Sequence, residues 1–141
     1  MASEITSYRD LGVWQRGIDL TLVAYGLAQR LPSSERYELS AQIRRAATSI
    51  PANVAEGHER RGKGYLHHVR IALGSLAELE THVEVARRLG FLTDADLAAL
   101  IKETAPLGRM LHGLRRSLVR RLLSKVAASS AVLWIVIGTL L

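Results

Sequence analysis

Apolar residues recur three and four positions apart along four separate stretches of this chain, the spacing of one face of an α-helix. The first stretch runs from about Leu11 to Arg30 and sets Leu11, Trp14, Ile18, Leu22 and Tyr25 on its inward stripe. The second runs from about Glu35 to Arg60, with Ser34 as N-cap and Leu39, Ile43, Ala46, Ala47, Ile50 and Val54 inward. The third, from about Tyr65 to Leu89, places Leu66, Val69, Leu73, Leu76, Leu79, Val83 and Ala86 in a near-heptad pattern and stops at Gly90. Thr93 followed by Asp96 forms a capping-box pattern. The fourth helix then turns Leu97, Leu100, Ile101, Leu107, Leu111, Leu114 and Leu118 inward. Pro51 and Pro106 fall inside the second and fourth patterns, where each removes a backbone donor and predicts a kink.

The connections are short: Leu31–Ser34 and the basic, glycine-containing Arg61–Gly64. Short connections between long helices make neighbours antiparallel. The sequence therefore predicts an all-α fold. It is an antiparallel up-down-up-down four-helix bundle over residues 8–124, with a hydrophobic C-terminal extension over residues 125–141. No stretch has strand period and no solenoid repeat is present.

The second helix carries a further pattern. Beside its apolar stripe runs Gln42, Arg45, Ser49, Asn53 and Glu56, also at helical spacing. A merely solvated face prefers Glu and Lys over short hydrogen-bonding side chains. The polar stripe thus predicts packing on two sides, with Gln42, Arg44, Arg45, Ser49, Asn53 and Glu56 as the expected oligomer interface.

The run QIRRAATSIPANVAEG (42–57), followed by RRGKGY (60–65) and IALGSLAELETHVEVARRLGFL (71–92), resembles the bacterial four-helix-bundle proteins encoded in 23S rRNA intervening sequences. The accessory proteins of diversity-generating retroelements are similar. The entry YRDLGVWQRGIDL (8–20) and exit LGRMLHGLRRSL (107–118) match as well, so the likeness spans roughly residues 8–120. It implies a homo-oligomeric ring, a pentamer. Pro106 is not part of the pattern.

Charge changes the picture in one place. The net charge is +6, yet residues 1–103 carry thirteen basic and thirteen acidic side chains. Residues 104–141 hold Arg109, Arg115, Arg116, Arg120, Arg121 and Lys125 and no acid. A nucleic-acid reading rests on this cluster, or on the local patch Arg60, Arg61 and Lys63. The candidate nucleic-acid-binding residues are accordingly Arg60, Arg61, Lys63, Arg115, Arg116, Arg120 and Arg121. The alternative is ordinary solubilising charge. Cysteine is absent, so no disulfide framework exists and a reducing cytoplasm is permitted. No signal peptide is expected, because Met1–Asp10 is polar.

Val126–Leu141 has no charge and follows the basic cluster. Its sixteen residues fall short of the ~20 that span a bilayer. Cations flanking such a segment fit a tail anchor with its basic side in the cytoplasm; the alternative is an extension buried in a partner or poorly ordered.

Enzymatic chemistry finds little footing. Gly57–Lys63 fits the first seven positions of a P-loop, but position eight is Gly64 rather than Ser or Thr, and a helix precedes it where the motif needs a strand. No Glu is followed by His three residues on, as a di-iron bundle requires. Glu78 and His82 share a face, where a surface hydrogen bond is the ordinary outcome; adjacent His67 and His68 cannot chelate together. Glu84 and Arg88 have the favourable order for a helical ion pair. The expectation is a non-catalytic, cofactor-free, metal-free homo-oligomer in the cytoplasm that binds RNA, DNA or a nucleic-acid-processing partner. The alternative is a membrane-attached interaction scaffold held by the C-terminal tail.

Overall fold

The computed structural model describes residues 5–140, with side chains described through Ser129. Four helices make the fold: α1 (Gly12–Gln29), α2 (Leu39–Arg60), α3 (Gly62–Arg88) and α4 (Asp94–Leu140). Each packs against the next along the chain, and α4 closes on α1. The arrangement is an antiparallel bundle, as the apolar periodicity predicts. Arg30, just past α1, pairs with Asp96 in the first turn of α4. At the other end, Gly12 lies against Met110.

The stripes of α2, α3 and α4 supply most of the core. Ile43, Ala46, Ala47, Ile50 and Val54 meet Val69, Leu76, Leu79, Val83 and Ala86, and Leu100, Leu107, Leu111 and Leu118 complete it. Ile101 is exposed rather than inward. The larger correction is in α1. Its buried face is Val13, Gly17, Leu20, Ala24, Leu27 and Ala28, whereas Leu22 is 68 % and Tyr25 39 % exposed. The reason is close approach. A Cβ on Gly17 would stand 3.3 Å from the Pro51 ring, so small residues, not bulky ones, mark the inner side.

Pro51 itself is buried and α2 continues across it. Proline cannot donate to the carbonyl four residues back. That carbonyl, Ala47 O, lies 3.1 Å from the Thr21 hydroxyl of α1. The same hydroxyl also reaches Gly17 O at 2.8 Å, so its single proton serves two acceptors.

Helix ends follow local chemistry. Ser7 and Asp10 form a capping box on a 3-10 turn ahead of α1. A second 3-10 turn at Ser33–Glu35 delays α2 to Leu39, and Ser34 does not cap it. Thr93 and Asp96 do form the predicted capping box, through Thr93 N–H to Asp96 Oδ2 and Asp96 N–H to Thr93 Oγ1. The Thr93 amide, with Arg30 adding to it, holds the Asp96 carboxyl below its usual range.

α4 outruns its partners. At 1.5 Å per residue its 47 residues reach about 70 Å, against about 40 Å for the 27 of α3. Leu118 is its last buried side chain among those described, and every residue from Leu123 to Ser129 is exposed. The expectation that residues 126–141 are covered by lipid or a partner falls, from Ser130 onward, outside the described side chains. Among the described residues no helix is long and apolar enough to cross a membrane.

Candidate nucleic-acid interface

The polar stripe of α2 splits into two parts. Ser49 and Asn53 turn toward α3 of the same chain. Asn53 Nδ2 donates to Ser49 O at 2.8 Å, and Asn53 Oδ1 meets His68 Nδ1 at 2.8 Å. Ser75 Oγ donates to Ser49 Oγ at 2.8 Å. Asn53 oriented this way makes His68 Nδ1 the donor, leaving Nε2 facing Glu56 Oε1 at 3.6 Å. Short polar side chains were needed because His68 and Ser75 are buried polar groups that require partners. At the other end of the stripe, Gln42 and Arg45 are exposed, and Arg44 donates to the Arg36 carbonyl.

The basic residues also sort by their surroundings. Arg60 is tied to Glu56 through Nε and Nη2 at 2.9 and 2.7 Å, and its guanidinium holds the Glu56 carboxyl low. Lys63 is exposed in the first turn of α3. Arg61 is the single residue between α2 and α3 and adopts φ 55°, ψ 177°. At the end of α3, Glu84 receives Arg87 and Arg88, and Arg87 also reaches Asp94. Those two guanidiniums lower the Glu84 carboxyl to about 2.

The C-terminal arginines divide between two faces of α4. Arg115, Arg116 and Arg120 border an open groove of about 470 Å³ toward α3, and Arg70 closes it from α3. Val119 completes the lining among the described residues. None of these four arginines has a carboxylate within ion-pairing distance among the described residues. Arg121 points elsewhere, sharing a cavity wall with Arg61 and Lys125. Arg70 was not legible as a member. It is a lone arginine on α3, and only the packing of α3 on α4 brings it to the others. No group of three or more His, Asp or Glu side chains among the described residues is arranged to hold a metal.

The description "23S rRNA-intervening sequence protein" matches residues 9–113. The chain belongs to that family. The match to the 23S rRNA-intervening sequence family spans the bundle and Arg70, whereas the other groove arginines, Arg115, Arg116 and Arg120, lie just beyond the matched residues. A protein of unknown function from the S23 ribosomal protein family of Bacteroides thetaiotaomicron, solved at 1.70 Å, has the same fold. The likeness has a TM-score of 0.68 at 21 % identity and covers 74 % of this chain and 95 % of that one. No curated protein matches the chain.

Proposed function

We propose that this member of the 23S rRNA-intervening sequence family is a non-catalytic, homo-oligomeric bundle that binds nucleic acid through phosphate contacts. The observation that carries the reading is the groove formed by Arg70, Arg115, Arg116 and Arg120, four arginines from two helices with no ion-paired carboxylate among the described residues. Guanidinium matches phosphate oxygens in bidentate geometry. The groove offers no aromatic platform, so recognition is of backbone rather than base. Self-association, a pentamer by family resemblance, would repeat the groove around a symmetry axis and sum its field. Gln42 and Arg45 on α2 and the exposed Leu22 and Tyr25 on α1 are surfaces available for that contact.

The test is anisotropy of random-sequence RNA and DNA across a salt series, with anionic vesicles in a parallel arm. Changing all four arginines to glutamine should weaken binding equally across sequences. It should also flatten the log–log salt slope by about three to four units. An unchanged slope removes the groove from the function. Vesicle binding without nucleic-acid binding would favour the membrane-attached scaffold, in which the same arginines meet lipid phosphates. Sedimentation at equilibrium decides the oligomer: a protomer mass at tens of micromolar excludes the ring.

A further inference from the structure

Where α2 gives way to α3, a cavity of about 600 Å³ opens between the N-terminal turn, the α2–α3 junction and α4. Small-molecule sites occupy roughly 300–1,000 Å³. Its lining is in part aliphatic, with Ile5, Leu11, Leu114, Leu118 and Leu122. The lining also holds Arg61, Arg121 and Lys125, together with His58 and Tyr65. Among the described residues no acidic side chain lines the cavity. None of its three cations has an ion-pair partner among the described residues. Two acids close in sequence to the lining residues are engaged elsewhere or held off. Glu59 Oε1 comes only to 3.7 Å from His58 Nδ1, and Asp10 accepts from the Thr6 and Ser7 amides.

Two polar atoms of this wall are unanswered. His58 Nδ1 and Tyr65 Oη are buried and have no hydrogen-bond partner among the described residues. Native structures rarely leave such groups unpaired, because each forfeits its hydration for nothing. Burial pushes the Tyr65 phenol above its usual range against the opposing charge of Arg121, so the hydroxyl remains a donor. The junction adds strain. Arg61 sits at positive φ in a region that residues with a Cβ rarely enter. It also begins α3 without a side-chain cap, leaving the first-turn N–H groups open beside Gly62, itself in the cavity lining. The P-loop-like run Gly57–Lys63 ends here. With Gly64 where a hydroxyl would hold magnesium, the junction is suited to holding an anion, not to hydrolysing one.

We infer that this cavity binds a small amphipathic anion, a phosphate or carboxylate head on an aliphatic chain. The head is held by Arg61, Arg121 and Lys125 with the Tyr65 hydroxyl as donor, and the chain lies along the leucines. A nucleobase is a poorer fit, since the Tyr65 ring is already met edge-on by His58 at 6.0 Å. This inference uses none of the groove arginines and stands apart from the nucleic-acid reading.

Calorimetric titration of the full chain with octyl phosphate and octanoate, each below its micelle concentration, tests it. Saturable binding is expected for at least one, and the stronger of the two identifies the head group. Octanol and inorganic phosphate, each offering half the ligand, should bind at least about tenfold more weakly. Arg121→Gln and Tyr65→Phe should each weaken binding about tenfold. Arg120→Gln, one residue away but on the groove side, should leave it unchanged. Tyr65→Phe keeps the test decisive if Arg121→Gln impairs folding. No saturable uptake of either anion, octanol binding as well as octyl phosphate, or equal losses in Arg120→Gln and Arg121→Gln would overturn the inference.

Discussion

The two arginine-rich ends of neighbouring helices teach opposite lessons. At the end of α3, Arg87 and Arg88 are spent inside the chain: Glu84 bridges both and Asp94 takes a second bond from Arg87. On α4, Arg115, Arg116 and Arg120 share a groove with Arg70 of α3, and none of the four has an ion-pair partner among the described residues. Residue type is the same and exposure is similar, but only the second set is electrostatically unanswered. A charge answered within the fold stabilises the fold. A charge left unanswered within the fold is held by water and counter-ions and stays open to a counter-charge from outside.

The sharpest way to break this contrast is to neutralise each set in turn. Arg70, Arg115, Arg116 and Arg120 changed together to glutamine should strongly weaken the proposed nucleic-acid binding while leaving urea stability within about 0.5 kcal/mol of the parent. Arg87→Gln with Arg88→Gln should leave binding intact. The next largest effect tests an answered polar group. Asn53→Ala strands His68 Nδ1 and should cost about 2 kcal/mol in urea unfolding. A loss below about 0.5 kcal/mol would mean the α2–α3 network is ornamental.

Tyr65→Phe probes the unanswered side of the same question. Removing a buried hydroxyl that has no partner should stabilise the free protein by about 1 kcal/mol, seen as a raised melting temperature. The smallest effect concerns acid. The Glu84 carboxyl is lowered from 4.5 to about 2, so its contribution is complete above pH 4.5 and fades as the pH falls through about 2. The stability difference between parent and Glu84→Gln should therefore be flat above pH 5 and vanish near pH 2. A difference independent of pH would assign it to packing instead.

Periodicity was a good guide wherever large side chains face the core. Ile43, Ile50 and Val54 of α2, and Leu79 and Val83 of α3, sit where their spacing puts them. On α1 it placed Leu11 and Trp14 against the core but misled further along, because Ile18, Leu22 and Tyr25 continue the same spacing as regularly as the true inner set. Nothing in α1 alone says that Pro51 of another helix demands Gly17. The polar stripe of α2 was visible, but its partners His68 and Ser75 lie on α3, so an internal seam and a subunit contact read alike in one dimension. The basic cluster was visible too. Its division between a groove and a cavity was not, because Arg70 and Arg61 come from elsewhere in the chain.

The Thr21–Ala47 contact has a consequence for how the bundle finds its alignment. Apolar stripes are nearly translation-invariant: slide one helix a full turn, about 5.4 Å, and leucine still meets leucine. Pro51 ends that indifference. At one offset, Gly17 clears the proline ring and Thr21 serves the carbonyl that the proline abandoned. One turn either way, Val13 or Thr21 would be forced onto the ring and the Ala47 carbonyl would go unserved. A residue that ordinarily counts as a helix defect thus works as a vernier mark, and the longitudinal position of α1, with the N-terminal turn it carries, is read from it.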